Sequence, residues 1–155
     1  MDTATIILDL FHAVFAVIWV GGMVFAYMVL RPAVDLFDPT VKLPLLAGVF
    51  RRFFIWVWHA VVLLPLSGYG MLFWFYGGFA GSGMHIHLMQ LTGWIMIGLY
   101  LYLFFGPYKR FKAAVAIEDW TGAAVALPTV RRLIAINMVL GLVTVAIGAT
   151  GRFWG

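Results

Sequence analysis

The sequence predicts an all-α fold: an integral membrane, four-transmembrane-helix antiparallel bundle with both termini on the outer side. Three observations predict it. Four long apolar stretches run through the chain, the composition is 65% hydrophobic and 10% charged, and nearly all basic residues fall in two connections. A soluble domain carries about 25% charged residues, so a chain with a mean hydropathy of +1.03 has lipid as its solvent. At 155 residues the chain makes a single domain, 1–155, and can cross a bilayer about four times at roughly 20 residues per span.

The spans fall at about residues 5–30, 53–76, 84–105 and 133–151. Each can cross about 30 Å of hydrocarbon at 1.5 Å per residue. The first ten residues carry Asp2 and Asp9 but no Lys or Arg. A cleavable signal peptide needs a basic start, so the first span is expected to remain in the mature protein. Residues 77–83 (GGFAGSG) read as a tight, flexible link between spans two and three. The connection 31–52 holds Pro32, Pro39 and Pro44, and its residues 45–52 are expected to begin the second helix early. The connection 109–132 is expected to form short interfacial helices.

Orientation follows from charge. Arg31, Lys42, Arg51, Arg52, Lys109, Arg110, Lys112, Arg131 and Arg132 lie in or beside the two long connections, and only Arg152 lies on the other side. Basic residues stay in the cytoplasm, so the chain is expected in a bacterial inner (plasma) membrane with both termini periplasmic. The same distribution explains the net charge of +4 by topology and gives no reason to expect a nucleic-acid partner. Arg51-Arg52 and Arg131-Arg132 are expected to meet lipid phosphates.

Chemistry rests on few residues. With no cysteine, a metal must be held by His, Met, carboxylate or amide groups. No serine-histidine-acid set, phosphate-binding glycine loop or carboxylate pair is present, which argues against hydrolase and nucleotide chemistry. His12 in the first span and His87 in the third enter from the outer side at matched depth. Ionisable groups inside a span are costly and point to function. Two facing imidazoles are a common axial pair for a b-type haem, so His12 and His87 are read as haem ligands, with Asp9 orienting His12 and Gln90 orienting His87. His85 and His87 differ by about 200° around a helix; His87 is expected to face the bundle and His85 the outer surface or loop.

A rival reading uses Met84, His85, His87 and Met89 as a soft-ligand group for copper, since thioether and imidazole suit Cu(I). His59 enters the second span from the cytoplasmic side and is expected to hydrogen-bond Asn137 of the fourth, with an inner-leaflet haem or quinone site, and Met28 or Met138 as second ligand, as its alternative. Glycines recur in the spans, at Gly21, Gly22, Gly68, Gly70, Gly93, Gly98, Gly141 and Gly148. They read as close helix packing or as room for a flat macrocycle.

The stretch from His12 to Met23 (HAVFAVIWVGGM), the Leu30-Arg31-Pro32 that follows, Arg51-Arg52-Phe53-Phe54 before span two and Arg131-Arg132-Leu133 before span four resemble the copper-resistance protein D (CopD) family domain. The resemblance implies an inner-membrane protein associated with copper tolerance or with copper passage toward the cytoplasm. A more distant likeness is to the HemJ-type protoporphyrinogen oxidases, four-helix membrane proteins with a histidine near the start of helix 1, matched by His12, and a bound b-type haem. That family's lysine early in helix 3 is replaced here by His87, which speaks against the oxidase chemistry and leaves haem ligation open. The leading expectation is therefore a CopD-like haem protein, and on that reading a membrane oxidoreductase, exchanging electrons with quinone or a periplasmic copper or electron-transfer protein. The alternatives are a copper transporter and a structural subunit of a larger membrane complex or oligomer.

Overall fold

A computed structural model describes residues 2–154, with Arg152 described by its backbone alone. Among the described residues four helical spans are long and apolar enough to cross a membrane: Thr3–Val34, Pro39–Trp74, Met84–Ala116 and Trp120–Thr150. The first comprises α1 (Thr3–Phe25), a π-helical turn (Ala26–Leu30) and α2 (Arg31–Val34); the second is α3 (Pro39–Trp74). The third comprises α4 (Met84–Leu103), a second π-helical turn (Phe104–Tyr108) and α5 (Lys109–Ala116); the fourth is α6 (Trp120–Thr150).

The spans exceed the sequence expectation because the two basic connections are mostly helix. Only residues 35–38 and 117–119 leave it. Proline lacks an N–H and clashes with the carbonyl four residues back, which is why Pro32, Pro39 and Pro44 suggest a loop. Both π-turns sit at such a proline, Pro32 just after the first and Pro107 inside the second. Widening one turn to an i→i+5 pattern lets the helix pass the ring without ending. Pro39 occupies the first turn of α3, where the missing N–H costs nothing. At about 1.5 Å per residue, a 36-residue α3 outruns the hydrocarbon, so Arg51 and Arg52 sit on a helix surface, as expected for residues 45–52, and the helix begins six residues earlier still.

The short connections carry specific cap chemistry. After α5 the backbone closes with Asp119 N–H to Ala114 O (2.9 Å) and Glu118 N–H to Val115 O (3.2 Å), the paired bonds of a Schellman cap. This cap needs a left-handed residue, and Glu118 supplies it at φ 56°, a conformation that glycine adopts without a Cβ penalty. Asp119 then caps α6 by accepting from Gly122 N–H at 2.9 Å. Glu118→Gly is accordingly expected to raise stability by about 0.5–1 kcal/mol; an unchanged or lowered thermal midpoint in detergent would refute the strain.

Antiparallel packing brings the two termini to one end of the bundle. α1 lies along α3, with Gly22 against Phe53, His12 over Gly68, Leu8 over Gly70 and Asp2 accepting from Trp74 Nε1 at 2.7 Å. Asp2 also accepts from Thr5 N–H (2.9 Å) and Thr5 Oγ1–H (2.5 Å), and these bonds, with that of Trp74, hold its carboxyl down to about 2. α4 lies along α6, with Met96 at Gly141, Met89 at Gly148 and His85 at Gly151. Thr144 Oγ1 lies 2.7 Å from Thr92 Oγ1 across that interface. Residues 2, 74, 85 and 151 thus define a terminal end.

Asp35 marks the opposite, basic end. Arg131 grips it with two bonds, Nη2 to Oδ1 at 2.7 Å and Nη1 to Oδ2 at 3.2 Å, while Lys42 Nζ lies at 3.5 Å and Arg31 Nε at 3.9 Å. Arg131 above all holds the Asp35 carboxyl below its ordinary value. A depressed carboxyl contributes stability above its unfolded pKa of about 3.9 and loses it as pH falls through the folded value. The wild-type thermal midpoint should therefore drop more between about pH 5 and pH 3 than that of Asp35→Asn. Parallel curves would show that the cluster is energetically silent, which is common for exposed pairs worth about 0–1 kcal/mol.

The core is aromatic and lies toward the basic end. Phe54 meets Tyr108 edge-on at 4.7 Å, Tyr100 at 5.6 Å and Phe104 at 6.1 Å, and stacks on Phe50 at 5.8 Å. Tyr100, itself buried, donates its hydroxyl to Phe54 O at 3.2 Å. A buried phenol in lipid must find such an acceptor.

Candidate functional site

His12 lies half-buried on the α3-facing side of α1. Its Nδ1 is 3.0 Å from Ser67 Oγ, while the Ser67 hydroxyl lies 2.6 Å from Leu63 O. A serine has one proton to donate. With that proton on Leu63, His12 donates from Nδ1, and Nε2 keeps the lone pair. A Cβ at Gly68 would come within 3.2 Å of His12 Cε1, so glycine here makes room for the imidazole. Asp9 is exposed, and no hydrogen bond joins it to His12; Ser67 holds the ring in its place.

The third span reverses the expected facing of its histidines. His87 is exposed, stacks on Phe79 at 6.2 Å and lies 3.4 Å from Ser82 Oγ through Nε2. His85 is the residue turned toward the bundle: it packs against Gly151, and Trp154 meets its ring edge-on at 6.4 Å. The reason is the small-residue edge of α6. Gly141, Thr144, Gly148 and Gly151 recur at helical spacing and receive Met96, Thr92, Met89 and His85, which selects the α4 face carrying residues 85, 89, 92 and 96. Gln90 makes no hydrogen bond to His87.

No hydrogen bond or ring contact joins His12 and His87 among the described residues. His12 is engaged by α3 and His87 by the turn before α4. The outer group divides instead into two neighbouring pairs, Met84 with His87 (i, i+3) and His85 with Met89 (i, i+4), on adjacent faces of one helix. Each pair offers one imidazole and one thioether. Met84 is exposed at 68%, whereas His85 and Met89 are half-buried against α6. Among the described residues no group of three or more His, Cys, Asp or Glu could hold a metal ion.

The expected bond between His59 and Asn137 is absent. His59 is exposed on α3, donates from Nδ1 to Ile55 O at 2.7 Å and tilts against Trp56; a histidine that bonds its own helix one turn back can face lipid. Asn137 is buried and donates from Nδ2 to Met96 O at 3.2 Å, while its Oδ1 has no partner among the described residues. It joins spans three and four. Interhelical bonds in lipid average about 0.6 kcal/mol, and Asn137→Leu also removes an orphaned acceptor. That variant is expected to change stability by less than about 1 kcal/mol; a larger loss in detergent unfolding would assign Asn137 a greater role.

Most span glycines serve side-chain packing. Gly22, Gly68, Gly70, Gly141 and Gly148 each face a side chain that occupies the space a Cβ would need, while Gly21, Gly93 and Gly98 have nothing within 4 Å. The sequence reading missed Ser67, which stands at the depth of His12 on the neighbouring span, and the Thr92–Thr144 pair. Matching depth from the helix ends is the signal that finds both.

Four antiparallel apolar spans, a soft-ligand helix start at one end and a basic cluster at the other define a multi-pass membrane protein. The family model for copper resistance protein D matches residues 47–150, two thirds of the chain, and the chain belongs to that family. The match runs from within span two to the end of span four and lies outside the stretch around His12. No curated protein and no solved structure matches the chain.

Proposed function

We propose that this family member takes up Cu(I) at the terminal end of the bundle, with Met84 and His87 as the outer pair and His85 and Met89 as the inner pair. The observation that carries the reading is the arrangement of these four side chains, two imidazole-thioether pairs on adjacent faces of one helix start. Family membership supplies the metal class. Cu(I) is soft, and these ligands suit it better than they suit hard cations. The nine basic residues toward the opposite end favour a cytoplasmic position for that end, so the copper-facing end would be periplasmic in a bacterial inner membrane. Its donor would then be a periplasmic copper protein or the free ion.

Haem between His12 and His87 draws less support, since the two rings are engaged on different helices by Ser67 and Phe79. Electron transfer to quinone loses its support with it. Titration of the detergent-purified protein with Cu(I) against a chromogenic chelator, with an absorption spectrum of the same sample, tests the proposal. His85→Ala/Met89→Leu is expected to weaken Cu(I) binding at least tenfold, about the least that loss of a supporting residue costs a metal site, and His59→Ala to leave it unchanged. A Soret band with sharp reduced α and β bands, lost in His12→Ala or His87→Ala, would establish the haem reading instead. Binding of neither would overturn the copper reading and favour the structural-subunit alternative.

A further inference from the structure

The basic end holds a cleft of about 430 Å³, within the roughly 300–1,000 Å³ of small-ligand sites. It opens between the end of the first span, the start of α3 and the first half of α6, and Tyr27, Arg31, Lys42, Arg131 and Arg132 bring polar groups to it over an apolar floor that includes Leu43 and Leu127. Three of these cations, Arg31, Lys42 and Arg131, surround one carboxylate, Asp35, and Arg132 adds a fourth positive charge beside them, so the cleft keeps a strong positive excess.

Arg31, Lys42 and Arg131 are held in place before any ligand arrives. Arg131 is fixed by its two bonds to Asp35, which use two of its five donors. Arg31 is held between Asp35 and the Tyr27 ring, its guanidinium carbon 5.0 Å from the centroid. Lys42 is drawn in by the same carboxylate. Asp35 thereby prevents the like charges from splaying apart, and the remaining N–H groups can serve a planar or tetrahedral oxyanion.

We propose that this cleft binds the phosphate headgroup of an anionic phospholipid. Its position favours a lipid over a soluble anion. Tyr27 still belongs to the apolar span and Arg31 follows it by one turn, so the cations stand where hydrocarbon gives way to headgroups. On α6 the cleft face of Pro128, Arg131, Arg132 and Ala135 continues toward the terminal end as Val139 and Leu142, exposed at 55% and 47%. That strip can carry an acyl chain while the phosphate sits among the cations.

Native mass spectrometry of the detergent-solubilised protein, titrated with phosphatidylglycerol, phosphatidylcholine or glycerophosphate, tests the site. Phosphatidylglycerol should bind more tightly than either. Arg132→Gln should weaken its binding about fivefold and Lys42→Gln/Arg132→Gln about 25-fold, as expected for one surface cation each, with Arg132→Lys restoring most of the loss. Arg110→Gln, an equal charge change on α5 outside the cleft, should cost less than twofold. Equal losses in Arg132→Gln and Arg110→Gln would mean diffuse surface charge and overturn the site. Glycerophosphate binding as tightly as the lipid would overturn the lipid assignment in favour of a soluble anion.

Discussion

Gly151→Leu is expected to lower the stability of the bundle by about 3 kcal/mol, the upper part of the usual range for overpacked sites. The cause is local and steric. Even the first added carbon would overlap the Cβ and Cγ of His85, which are the root of that side chain and cannot swing away. The α4–α6 interface must then open, and Met89 at Gly148 and Thr92 at Thr144 separate with it. Lipid supplies no hydrophobic force to press helices together, so close van der Waals contact and the threonine bond are what the interface loses. Gly93→Ala is the matched control. Nothing lies within 4 Å of the added carbon there, and alanine is the better helix former by about 1 kcal/mol, so that variant should be neutral or stabilising. Thermal unfolding in one detergent compares the two; equal behaviour would show that the glycine edge does not set helix separation. The substitution also displaces His85, so Cu(I) binding should weaken in the folded fraction of Gly151→Leu and persist in Gly93→Ala.

The four spans were legible because lipid imposes a one-dimensional signal, a run of apolar residues long enough to cross. The basic ends were less so. Pro32 and Pro107 are local helix breakers by propensity, yet the π-turns beside them keep the helix running, an accommodation fixed by tertiary packing and invisible to a residue-by-residue reading. The site shows the same division. Depth along a helix can be counted, and it placed the outer histidines at one level. Rotation about the helix cannot be counted so simply, because an apolar helix in lipid has no polar face to reveal which side is buried. The facing of His85 and His87 is decided by Gly148 and Gly151 on another span, so it required the pairing of spans three and four. His12 was likewise paired by depth with His87, whereas α1 packs along α3 and the polar partner of His12 there is Ser67.

Phe54→Ala is expected to cost about 2–4 kcal/mol. In a water-soluble core the same truncation costs about 3–5 kcal/mol, combining transfer of the ring from water with the cavity left behind. The transfer part nearly vanishes here, because the separated helices would expose the ring to hydrocarbon. What remains is the cavity and the loss of ring-ring contacts worth about 0.5–1.5 kcal/mol each, and Phe54 has such contacts with Phe50, Tyr100, Phe104 and Tyr108. Phe25→Ala separates the two contributions. Phe25 is 57% exposed and belongs to no ring pair among the described residues, so its truncation removes apolar area with little packing and should change stability by less than about 0.5 kcal/mol. Comparable losses in the two variants would mean that apolar area, and not aromatic interdigitation, holds the bundle. Phe54 packs toward the basic end while His85 and Met89 stand at the terminal end, so Phe54→Ala should retain wild-type Cu(I) affinity in its folded fraction. A loss of copper binding there would couple the two ends, which their separate packing gives no reason to expect.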